Sequence, residues 1–89
     1  MTFRTEFLKQ MKGSPERGVL YVMKEFEIVV YLCPCGCGLE ICTAFGNLWP
    51  GNRWKLTLDG DKVTLDPSIA VRGGCKSHFW IKENRIVWA

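Results

Sequence analysis

Apolar residues Phe3, Phe7, Leu8 and Met11 recur at near-helical spacing at the start of the chain. That pattern predicts a short amphipathic helix over residues 1–12, ended by Gly13-Ser14-Pro15. From Gly18 onward the texture changes to β-branched and aromatic residues, and 19–23 and 26–32 read as strands running into a cysteine-rich segment. Residues 39–45 read as a strand leaving that segment, followed by a Gly-, Asn- and Pro-rich loop over 46–52.

The clearest hairpin comes next. Trp54, Leu56 and Leu58 alternate with Lys55 and Thr57, Asp59-Gly60-Asp61-Lys62 turns the chain, and Val63 and Leu65 alternate with Thr64 on the return. Asp66-Pro67-Ser68 reads as the end of that strand, and Arg72-Gly73-Gly74 as a flexible approach to Cys75. A last hairpin pairs residues 79–81 with 85–88 across Glu83-Asn84. The expected fold is therefore a β-rich α+β domain over residues 1–89. It comprises a small antiparallel sheet of hairpins, a short N-terminal helix and one zinc staple.

A chain of 89 residues with 47% hydrophobic and 12% aromatic residues has a core to bury, which excludes a mostly disordered polypeptide. A domain of this size is nevertheless marginal without a staple. The N-terminus carries charges within its first apolar stretch, unlike a signal peptide. The longest apolar run, residues 28–33, falls far short of the ~20 residues that cross a bilayer. A cytoplasmic location and no membrane partner are expected. The net charge of +3 permits an acidic or nucleic-acid partner without requiring one.

Five cysteines, three of them at alternate positions in CPCGCG from Cys33, suit metal ligation better than a disulfide framework. Residues two apart on a regular strand lie ~6.5–7 Å apart, too far for thiolates at ~2.3 Å from one tetrahedral zinc, so the chain must bend here. Gly36 and Gly38 permit left-handed conformations, and Pro34 holds Cys33 extended. Downstream, Cys75-Lys76-Ser77-His78 places a thiolate and an imidazole at the spacing of a zinc hook. Soft donors of this kind select zinc. The candidate ligands are Cys33, Cys35, Cys37, Cys75 and His78, five for four places, with Cys33 the ambiguous member. Cys42, within the strand-like Leu39-Glu40-Ile41-Cys42-Thr43, reads as a packing residue.

These segments resemble an uncharacterised family of small bacterial and phage proteins with a cysteine-rich signature. The likeness runs from Gly18 through CPCGCG, WKLTLDGDKVTLDPSI and CKSHFWI to the closing Val87-Trp88. The resemblance implies a metal-binding domain, and some relatives lie near genes for bacterial ubiquitin-like conjugation. Relatives commonly carry histidine where this chain has Tyr31, and an aliphatic residue where it has Cys42.

A closed thiolate-rich site favours a structural zinc module that presents a surface to a protein partner, rather than an enzyme. The alternative is a nucleic-acid binder using Arg53, Lys55, Arg72, Lys76, Lys82 and Arg85 around Trp49, Trp54 or Trp80. A zinc hydrolase with Glu40 or Asp66 as general base ranks third, because catalytic zinc usually carries histidine and carboxylate ligands.

Overall fold

The computed structural model describes residues 1–89. Eight strands form two four-stranded sheets: β1 (Arg4–Phe7), β2 (Val19–Met23), β3 (Ile28–Leu32) and β4 (Glu40–Ala44) in the first, and β5 (Lys55–Asp59), β6 (Lys62–Ala70), β7 (His78–Lys82) and β8 (Arg85–Trp88) in the second. Each sheet follows chain order, and every pairing is antiparallel except β1 with β2.

Strand alternation builds one core between the sheets. Leu20, Val22, Val29 and Tyr31 of the first sheet meet Val63, Leu65, Ile69, Phe79, Ile81 and Ile86 of the second, with Phe3 beside them. The opposite face of β2 and β3 is also apolar, and there Val19, Tyr21, Met23 and Val30 are covered by Leu8 and Met11. β2 is therefore buried along its whole length. The fully buried phenol of Tyr31 is satisfied by Thr43 Oγ1 at 2.8 Å, and burial holds its pKa above the usual phenol range.

The expected N-terminal helix is not formed. Arg4–Phe7 instead pairs in parallel with β2, Arg4 to Val19 through Phe7 to Val22. An isolated helix of that length is marginal in water. Here β2 offers an open ladder and a core that accepts Phe3, so pairing prevails. Residues 8–18 then make the crossover that a parallel pair requires and close over the outer face of the sheet.

Asn84 locks the N-terminal segment to the second sheet. It occupies a positive-φ position in the β7–β8 turn with Glu83, the geometry a two-residue hairpin demands. Its side chain is buried, accepting from the Val63 amide at 2.7 Å and donating to the Asp61 carbonyl at 3.1 Å and to Thr5 Oγ1 at 3.0 Å. Its own carbonyl accepts from the Phe3 amide. Asn84→Ala leaves several buried groups unpaired and is expected to cost about 2–4 kcal/mol in urea unfolding. Asn84→Gly, which relieves the backbone but restores no hydrogen bond, is expected to remain destabilised. A loss below ~1 kcal/mol in both would contradict this role.

Candidate active site and cysteine cluster

Two hairpin loops, one from each sheet, meet at one end of the molecule. The β3–β4 loop is pinched by the Cys33 amide donating to the Leu39 carbonyl and the Gly36 amide donating to the Cys33 carbonyl. Gly36 and Gly38 take φ of 91° and 84°, the left-handed bend that lets alternate cysteines turn inward. The β6–β7 loop is closed by the Val71 amide on the Ser77 carbonyl and the Lys76 amide on the Gly73 carbonyl.

Cys33, Cys35, Cys37 and Cys75 are thereby brought together, with all four sulfurs within 4.8 Å of one another. Sγ of Cys33 lies 3.4 Å from that of Cys35 and 3.6 Å from that of Cys75. Sulfurs of a tetrahedral tetrathiolate centre with ~2.3 Å bonds are separated by ~3.8 Å, so the cluster has the dimensions of a metal site. Burial pushes the Cys33 thiol up to about 12, while the Ser77 hydroxyl, donating to Cys75 Sγ at 3.2 Å, helps draw Cys75 down to about 6. Cys42 stands apart on the edge strand β4.

His78 does not join the four sulfurs. It opens β7 directly opposite Ala70 of β6, which makes Ser68 its diagonal neighbour. His78 Nε2 lies 2.8 Å from Ser68 Oγ. The imidazole stacks on Trp80 with 5.8 Å between ring centroids and 28° between planes, and Lys82 Nζ sits beyond that indole. On the other side, Trp54 Nε1 donates to the Pro67 carbonyl at 3.1 Å and fixes the backbone before Ser68. No carboxylate hydrogen-bonds the imidazole, so the Trp80 stack is what orients it.

The sequence alone reads Asp66-Pro67-Ser68 as a strand terminus. The structure instead carries β6 through it to Ala70, past the cis Asp66–Pro67 peptide, with the ladder register slipping between Leu65 and Ile69. A serine adjacent to the sole histidine of the chain is the arrangement needed to activate a hydroxyl nucleophile. A family model for a bacterial ubiquitination-like system serine protease (BubE) matches residues 6–89.

The chain belongs to the BubE family. No curated protein and no solved structure matches it. The BubE match agrees with the resemblance to proteins associated with ubiquitin-like conjugation. It also directs attention to the chain's three serines, of which Ser68 alone is hydrogen-bonded to a histidine. Two of the tryptophans considered as base-stacking surfaces, Trp54 and Trp80, are engaged around Ser68 and His78. The third, Trp49, donates its indole N–H to the Phe26 carbonyl. No helix is long and apolar enough to cross a membrane.

Proposed function

We propose that this BubE chain is a small serine peptidase with Ser68 as nucleophile and His78 as general base, on a fold clamped by a structural zinc. The observation that carries the reading is the 2.8 Å contact between Ser68 Oγ and His78 Nε2 in a chain with one histidine. The family's description as a serine protease supports it. The protein partner expected from the sequence is then, in the first instance, a substrate.

The chemistry follows from the two side chains. With its proton on Nδ1, His78 accepts the Ser68 hydroxyl proton at Nε2 as Oγ bonds to the carbonyl carbon of the scissile peptide. Collapse of the tetrahedral adduct breaks the C–N bond, and the same proton passes from Nε2 to the departing amine, leaving an ester on Ser68. Water, deprotonated by His78, hydrolyses that ester and restores the hydroxyl.

Zinc suits Cys33, Cys35, Cys37 and Cys75, four soft donors within 4.8 Å of one another that would leave no open position for a reacting water. Held by these four cysteines, it would supply a cross-link between the β3–β4 and β6–β7 loops. Since His78 begins three residues after Cys75, that cross-link also anchors the strand that bears the base.

Hydrolysis of fluorescein-labelled casein, a disordered substrate, tests the reading. Turnover is expected to fall in proportion to added fluorophosphonate, reaching zero at about one equivalent per chain with the metal retained. Turnover indifferent to the fluorophosphonate, or the absence of both turnover and labelling, would contradict it.

A further inference from the structure

A groove of about 340 Å³ lies between β4 and the stretch of β6 that follows Ser68 in the chain. One wall is residues 41–44 of β4, the other includes Ile69 and Ala70 of β6, immediately after Ser68. Four consecutive residues of a strand alternate between its two faces, so a groove lined by all of them runs along the strand's hydrogen-bonding edge.

Both walls present free backbone groups. In the β3–β4 ladder the Cys33 amide donates to the Leu39 carbonyl and the Phe45 amide to the Glu27 carbonyl, which fixes the odd-numbered residues of β4 as those bonded to β3. The N–H and C=O groups of Cys42 and Ala44 therefore point outward, and β4 is the edge of its sheet. In the β6–β7 ladder, the Val71 amide bonds the Ser77 carbonyl, so Ala70 directs its N–H and C=O away from β7. On that side β5 has already ended, its last pairing being Lys55 with Asp66.

No Cα of β4 lies within 8 Å of one in β6. Two strands with a third inserted between them stand ~9.5 Å apart. The segment that completes the groove is braced: Asn52 Nδ2 donates to the Gly46 and Trp54 carbonyls, and its Oδ1 accepts from the Trp54 amide.

We infer that an extended peptide segment of the substrate lies in this groove as an added strand. It pairs with the outward groups of Cys42 and Ala44, and with Ala70, and so delivers its scissile carbonyl to Ser68. The occupant is a disordered tail or linker with free backbone amides, since a helix has none to offer and is too wide for the gap. The inference rests on the peptidase reading for its chemistry, while the strand addition is measured separately.

Randomised synthetic decapeptides serve as the probe. In Ser68→Ala protein, amide shifts on adding the mixture are expected to centre on Cys42, Ala44 and Ala70, which reports the groove without any reaction. In the active protein, Ala44→Pro removes one outward N–H at an edge position where proline is tolerated. It is expected to lower kcat/KM for the best-cleaved peptide at least about tenfold while fluorophosphonate labelling of Ser68 continues. Should that variant fail to fold, methylating single amide nitrogens of the peptide makes the same test from the substrate side, with losses at alternate positions expected. Shifts confined to other surfaces, or cleavage indifferent to both Ala44→Pro and N-methylation, would overturn strand addition and leave the dyad intact. Loss of Ser68 labelling in the unsubstituted protein, with the shifts preserved, would overturn the peptidase reading and leave the groove intact.

Discussion

Ser68→Ala is expected to lower kcat for peptide hydrolysis by at least about a thousandfold, and His78→Gln by a comparable factor. The double variant should be little worse than either single one, because nucleophile and base act as a unit and losing one idles the other. Neither substitution touches the core: Ser68 is half-buried and His78 exposed on the outer face of the second sheet. Both variants should therefore retain the folded state and the metal. The metal content of His78→Gln is the discriminating value, since His78 fits a zinc hook by spacing but lies outside the sulfur cluster in space. A full complement of metal with activity gone agrees with a base; loss of the metal would return His78 to the ligand set. Substituting Ser14 or Ser77 should leave the covalent chemistry in place.

The second large effect concerns the cluster itself. Structural zinc contributes on the order of 10 kcal/mol, against a total stability of about 5–15 kcal/mol for an ordinary domain. Cys35→Ser or Cys75→Ser, or stripping the ion with a strong chelator, should therefore bring the protein close to its unfolding midpoint at room temperature. Peptidase activity should disappear with it, because the loop released is the one that feeds His78 into β7. Circular dichroism and metal analysis on the same samples check this. Native spectra and full activity in the metal-free protein would show that the core alone holds the fold. Cys42→Ala, which removes the cysteine outside the cluster, should leave metal binding unchanged.

Much of the strand pattern was legible because alternation survives wherever one face of a strand meets the core. The turn at Gly60 and Asp61, the Glu83-Asn84 turn and β2 itself could all be read from residue types. The N-terminal segment misled because Phe3, Phe7, Leu8 and Met11 satisfy a helical period. In the structure their burial is divided: Phe3 enters the central core, Leu8 and Met11 cover the outer face, and Phe7 remains 44% exposed. No single-helix face was ever being buried.

The convergence of Cys33, Cys35, Cys37 and Cys75 was readable from cysteine spacing, since close, glycine-flanked thiols have few other uses. Ser68 was not, for two physical reasons. Proline ordinarily ends a strand, and here β6 continues past Pro67 by slipping its register. That slip sets which side chain of β6 comes opposite His78, and residue types do not encode it. His78 also fits a zinc hook with Cys75 by spacing, so nothing in the sequence singles it out to pair with a hydroxyl. Its partner Ser68 became visible only through the register that sets Ala70 against His78.

The most direct test of the account is to quench the protein in acid during turnover of an activated peptide ester and map the residue that carries the acyl group by mass spectrometry. The prediction is a single acyl ester on the proteolytic fragment containing Ser68, absent from Ser68→Ala. An acyl group on another serine or on a cysteine, or hydrolysis with no acylated protein at any time, would contradict it.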